Sequence, residues 1–144
     1  MPTSENWFAW AVLSAVFAAL TAIFAKIGLD GVDSDYATLV RTFVIALCLT
    51  IIVVTTGKWR SPLTLSPRSG GFLVLSGLAT GASWLCYFRA LKAGEASRVA
   101  PVDKLSVILV ALFATAFLGE RPGVRDWMGI GLVGGGVLLL SLRR

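Results

Sequence analysis

Five charged side chains stand inside otherwise apolar runs: Lys26, Arg41, Arg89, Asp103 and Lys104. A charge at the centre of a bilayer helix costs about 2.5 to 3.5 kcal/mol on insertion scales, so such residues either reach back to the interface or carry function. The chemistry open to them is electrostatic: holding a charged solute, pairing with one another, or taking up a proton on the carboxylate. A second set lies in one run, where Ser76, Thr80, Ser83 and Tyr87 step by four, three and four residues and so share a helical face. Trp84 borders that face at mid-run, whereas Trp7, Trp10, Trp59 and Trp127 fall where interfacial belt residues belong. Two readings are open. In one, Thr80, Ser83, Trp84 and Tyr87 line a cavity; in the other, the hydroxyls bond their own helix backbone and Trp84 is packing.

These residues need elements to position them. Of 144 residues, 56% are hydrophobic and 15% charged, with a mean hydropathy of +0.81, against about a quarter charged in a soluble domain. This composition is that of a membrane protein, and the length suits one domain over residues 1–144. Five segments approach the roughly 20 apolar residues that a bilayer helix needs: Trp7 to Leu29, Tyr36 to Thr56, Gly71 to Lys92, Ala100 to Leu118 and Trp127 to Leu142. The expected fold is all-α, a polytopic membrane helical bundle with short loops rich in turn residues. The opening MPTSENWFAWAVLS lacks a basic n-region and reads as the start of a permanent span. Small residues at Gly77 and Gly81, Gly131 and Gly135, and Ala11, Ala15 and Ala19 suit close helix packing.

An odd number of spans puts the termini on opposite sides, with the N-terminus on side A. Counting loops and tail, side A holds Lys58, Arg60, Arg68, Arg121 and Arg125, and side B holds Lys92, Arg98, Arg143 and Arg144. Lysine and arginine counts set orientation, and this count hardly chooses. One fixed orientation and insertion both ways up are both compatible with it, and the second permits an antiparallel dimer. Lys26, Arg41, Arg89, Asp103 and Lys104 all fall about one turn inside the side-B end of their spans. Snorkelling is the simpler reading of Lys26, Arg89 and Lys104 taken singly, with a shared site at that depth as the other. It serves less well for the deeper Arg41 and the short Asp103, for which an interior pair of Asp103 with Arg41 or Lys26 is expected. Pro101 is expected in a first helical turn, with Asp103 meeting the positive end of that helix dipole; a charge that only starts the span is the simpler alternative.

Several classes are excluded. The net charge of +5 is not gathered into a basic block alternating with aromatics, so nucleic acid is not an expected partner. Cys48 and Cys86 lie in apolar runs and are expected to be buried packing residues, and the absence of His removes the commonest metal ligand. The glycines at Gly129, Gly131 and Gly134 match a dinucleotide fingerprint only in spacing, with no preceding strand and no following acid. No cofactor, metal or catalytic residue is expected, and the chain does not read as an enzyme.

The stretches TALTAIFAKIGL, DSDYATLVRT and SGLATGASWLCYFRALKAGEASRVAPVDKLSVILVALFATAFLGERP, with the glycine-rich last span, resemble the single-unit EamA family of the drug/metabolite transporter superfamily. LCYFRALKAGEASRVAPVDKLS followed by LGERP is the most specific part. The resemblance implies a bacterial or archaeal inner-membrane protein equivalent to half of the ten-helix members, in which two units pack as an inverted pair about a central cavity and move small solutes. A homodimer, in antiparallel form, would restore that pair. Related small multidrug exporters depend on a glutamate in the first helix, and none stands between Trp7 and Leu29. The expected function is small-solute transport by alternating access, with Lys26, Arg41, Thr80, Ser83, Trp84, Tyr87, Asp103 and Lys104 as binding residues and an anionic or zwitterionic solute. The alternative is a non-transporting scaffold or subunit that pairs with another five-helix protein.

Overall fold

The computed structural model describes residues 6–142, so Arg143 and Arg144, counted above on side B, lie outside the described residues. Regular structure among the described residues is helical: α1 (Asn6–Gly28), α2 (Ser34–Thr55), α3 (Pro67–Ala93), α4 (Ala96–Asp103), α5 (Ser106–Phe113) and α6 (Val124–Leu142). A short π turn, Ala114–Leu118, continues α5, and α4, α5 and this turn together form one membrane span. The five expected spans are all present as helices long and apolar enough to cross a membrane. Their start signals are local. Asp33 accepts from Asp35 N at 2.9 Å and Tyr36 N at 3.0 Å, which caps α2. Pro67 opens α3 where its missing N–H has no helical partner to lose, and Ser66 Oγ accepts from Ser69 N at 3.1 Å.

The end of α2 is equally specific. Lys58 N donates to Val53 O and Gly57 N to Val54 O, both at 3.0 Å, with Gly57 at φ 65°. This paired bonding satisfies carbonyls that the helix leaves open and requires the left-handed conformation that glycine adopts without strain.

The fourth span departs from expectation at its beginning. It starts at Ala96, ahead of the expected Ala100, so Pro101 lies inside α4 rather than in a first turn. Pro101 has no N–H to donate to the Ser97 carbonyl, four residues back. Beyond it the backbone tightens to bonds three residues back, from Lys104 N to Pro101 O at 2.9 Å and from Leu105 N to Val102 O at 3.0 Å, before α5 begins. Asp103 is therefore the last residue of α4, at the negative end of the helix dipole, and the expected contact with a positive end does not hold. Lys104 Nζ lies 3.3 Å from its carboxylate and offsets that disfavoured placement.

The described chain forms two compact units. In one, Phe24–Lys92, α2 and α3 run antiparallel, because residues rising along α2 meet residues falling along α3: Asp35 meets Arg89, and Arg41 meets Trp84. Its buried residues are Leu29, Ser34, Thr38, Phe88 and Leu91, all toward the side-B end. In the other unit, α4 and α5 contact α6. Ala111, Ala114, Gly134 and Val137 are buried there, and Gly134 admits Ile108 so closely that a Cβ would come within 2.5 Å of Ile108 Cδ1. Between 6 and 11% of the residues in the most apolar window of each span are buried, so most apolar side chains face outward. Cys48 and Cys86 are exposed on the chain as free thiols, against the expectation of burial. In a bilayer protein an apolar run does not imply an inward face, because lipid solvates the outer one.

The contact at Gly134 predicts that Gly134→Leu lowers the thermal unfolding midpoint of the purified protein in detergent, since its side chain must displace Ile108. The Ile108→Ala background should restore part of the loss. Additive losses in the double variant would mean that the two positions do not share a contact.

Candidate functional site

The side-B end of the Phe24–Lys92 unit gathers the buried and charged residues. Asp35, in the first turn of α2, and Arg89, near the end of α3, form a two-point ion pair: Arg89 Nε donates to Asp35 Oδ1 at 2.9 Å and Nη2 to Oδ2 at 2.6 Å. The geometry is fork to fork, which fixes orientation as well as attraction. Both side chains are about half exposed, at 60% and 47%, so solvent screens the pair and its contribution to stability is small. Its larger consequence is alignment, since it holds the start of α2 against the end of α3.

Two further lysine contacts close the same end. Lys26 Nζ, in the last turn of α1, donates to the carbonyl of fully buried Leu91 at 2.6 Å. That oxygen is among the last carbonyls of α3, which the helix itself leaves unpaired, and a cation there also meets the negative end of the helix dipole. Lys92 Nζ donates to Val32 O at 2.5 Å and ties α3 to the turn ahead of α2.

Six residues along α2 from Asp35, about 9 Å deeper at 1.5 Å per residue, lies Arg41. Its guanidinium carbon sits 4.3 Å from the Trp84 ring centroid and 5.2 Å from that of Phe88. Trp84 and Phe88 are four residues apart and so share a face of α3. A cation over aromatic faces gains about 0.5 to 1 kcal/mol where exposed and about 2 kcal/mol where desolvated. Arg41 is half-buried, Phe88 is 2% exposed, and Thr38, one turn before Arg41, is 5% exposed, so the stack is backed by closed packing. Both rings lie within cation–π range of the guanidinium carbon, and within this unit no hydrogen bond or ion pair uses its N–H groups.

The structure brings Arg41, Trp84 and Lys26 into one unit, as it does Tyr87, which is half-buried and has an edge contact to Phe88 at 6.4 Å between ring centroids. Thr80 and Ser83 are exposed on the chain, and the Thr80 hydroxyl donates to Ser76 O at 2.8 Å. Asp103 and Lys104 belong to the other unit, where they pair with each other, both exposed. That unit has an open groove of about 440 Å³ near the Gly119–Gly123 turn, with Val110, Ala111 and Ala114 in its lining and Glu120 and Asp126 among its charged groups.

Two contributors escape the sequence reading. Asp35 reads there as part of a turn, although an acid in the first turn of α2 and an arginine near the end of an antiparallel α3 are natural partners. Phe88 is hidden among apolar neighbours, although its spacing from Trp84 places both rings on one face.

Fold and site together define a polytopic α-helical membrane protein with a cation held in its apolar depth. The chain belongs to the EamA-like transporter family, which it matches over residues 6–142, and is an integral membrane transporter. It is 54% identical over 139 residues to an uncharacterised transporter in the cobO 3′ region of Sinorhizobium sp., covering 96% of this chain and 99% of that one. It is also 30% identical over 70 residues to the probable 4-amino-4-deoxy-L-arabinose-phosphoundecaprenol flippase subunit ArnE of Yersinia pestis (strain Pestoides F), covering 49% of this chain and 61% of the relative. No solved structure matches.

The ion pair predicts that Asp35→Ala slightly lowers the thermal unfolding midpoint of the purified protein in detergent. In a double-mutant cycle with Arg89→Ala, the two losses should be strongly sub-additive. Full additivity would show that the pair does not hold α2 to α3.

Proposed function

We propose that the protein is a bacterial or archaeal inner-membrane carrier of a small anionic or zwitterionic solute, working as a homodimer by alternating access. The observation that carries this reading is the half-buried Arg41 stacked over Trp84 and Phe88, a charge kept within a span with N–H donors left for a ligand. Ionisable groups inside membrane spans are rare, pair with one another or with backbone carbonyls, and mark solute and ion pathways. Arg41, Lys26, Trp84 and Tyr87 are the proposed contacts in one unit. Thr80 and Ser83 continue the same face, and a second copy would cover them. Asp103, with Lys104 beside it, is proposed as the proton acceptor of the cycle.

The nearly even count of basic residues on the two sides supports insertion both ways up, and an inverted pair of units is how many carriers build a midplane site. The outward-facing apolar side chains leave ample surface for a second copy. A second reading, a subunit acting on a lipid-linked substrate with another five-helix partner, is favoured by the similarity to ArnE over 70 residues.

A C-terminal tag on protein reconstituted in lipid bilayers should be reachable from both faces, and single-molecule energy transfer should place two oppositely exposed tags within one dimer. Tags confined to one face would remove the antiparallel homodimer and favour the heteromeric reading. Asp103→Asn should abolish solute flux in proteoliposomes while the dimer persists; unchanged flux would remove Asp103 from the mechanism.

A further inference from the structure

The geometry points to Arg41 as an oxyanion receptor: the edge of its guanidinium, held in place by Trp84 and Phe88, takes a phosphate-type group through two parallel N–H bonds. This deepens the carrier reading above and rests on it for its biological setting, but not for its chemistry.

Three observations converge. The first is placement. The guanidinium carbon lies 4.3 Å from one ring centroid and 5.2 Å from that of its neighbour on the same helix face, and attraction to the rings takes up none of the N–H donors in a hydrogen bond to oxygen. Those donors form a planar fork that matches two oxygens of one oxyanion, whereas a halide or a single carbonyl uses only part of it. The second is the absence of a competing carboxylate in this unit. In this unit both carboxylate oxygens of Asp35 accept from Arg89, and Asp33 is engaged in capping α2 by accepting from the N–H groups of Asp35 and Tyr36. No carboxylate of this unit is within ion-pair distance of Arg41. The third is rigidity. Arg41 extends from a helix pinned to α3 by a two-point ion pair about 9 Å away along its axis, and Thr38 and Thr42 on either side bond back to their own helix at 2.8 and 2.7 Å. A preset fork loses less freedom on binding than a mobile one, so its selectivity is for shape as well as charge.

The roles follow from this placement. Arg41 is the ligand contact, and Trp84 and Phe88 are positioning residues that act through it. Lysine at position 41 would keep the charge and lose the fork. The oxyanion can come from water or from a membrane amphiphile, and both present the same tetrahedral group.

The test is equilibrium binding to the purified protein in dodecyl maltoside at constant ionic strength, with inorganic phosphate and dodecyl phosphate as probes and chloride and dodecyltrimethylammonium as controls. Saturable binding of phosphate-bearing probes, weakened about 10-fold by Arg41→Lys through loss of one charge-assisted hydrogen bond, is the expected result. Binding of both probes identifies a water-borne oxyanion, and binding of dodecyl phosphate alone identifies a lipid-borne one. Trp84→Ala should weaken the same probes, and Trp84→Phe should restore part of the affinity where Trp84→Leu does not, which a purely packing role would not produce. Binding of neither probe, or full affinity in a folded Arg41→Lys variant, overturns the inference. Flux in proteoliposomes and the tag orientations would still stand in that case, so the carrier reading is judged separately.

Discussion

The hydrocarbon core of a bilayer supplies no hydrogen-bond partner, so every polar group that enters it must find one within the protein. The backbone meets this demand by remaining helical through each span. The threonines meet it one by one: Thr38, Thr42, Thr50, Thr55, Thr80 and Thr115 all donate to the carbonyl four residues back, at 2.7 to 2.8 Å. Charged side chains cannot do this alone. Lys26 therefore ends on the Leu91 carbonyl, Arg89 on Asp35, and Arg41 on aromatic faces. The layout of the side-B end of this unit follows from where each cation finds its partner.

Those partners differ in kind. A lysine on an unpaired helix carbonyl and an arginine on a carboxylate are completed contacts. An arginine on two rings is not, because the ring quadrupole attracts the cation without engaging its N–H groups. The same ring stack that allows a charge to stay in an apolar span leaves its donors for something else. That asymmetry makes Arg41, rather than the more numerous exposed cations, the centre of the candidate site.

The fourth span shows how a local reading can place an element and still misjudge its interior. Proline and an acid within three residues of each other suggest a helix start, yet Glu95 provides the actual entry, with Arg98 N and Val99 N both bonding its carbonyl at 3.0 Å. Proline fits a helix start and an interrupted helix equally well, and which one it marks depends on backbone bonding further up the chain. The cysteines make a related point: hydropathy reports that a residue avoids water, and in a membrane that is compatible with facing lipid.

From the amino-acid sequence alone came the membrane class, the five spans, the family resemblance and the unusual depth of Arg41 and Trp84. All of these depend on composition, run length or local spacing, which are properties of a single stretch of chain. The ion pair of Asp35 with Arg89 and the stacking of Arg41 over Trp84 and Phe88 were decided only in the tertiary structure. They join residues more than forty positions apart, and the contact between α2 and α3 depends on the rotation of each helix about its own axis. Hydropathy does not encode that rotation, because lipid and protein interior are nearly equivalent surroundings for an apolar side chain.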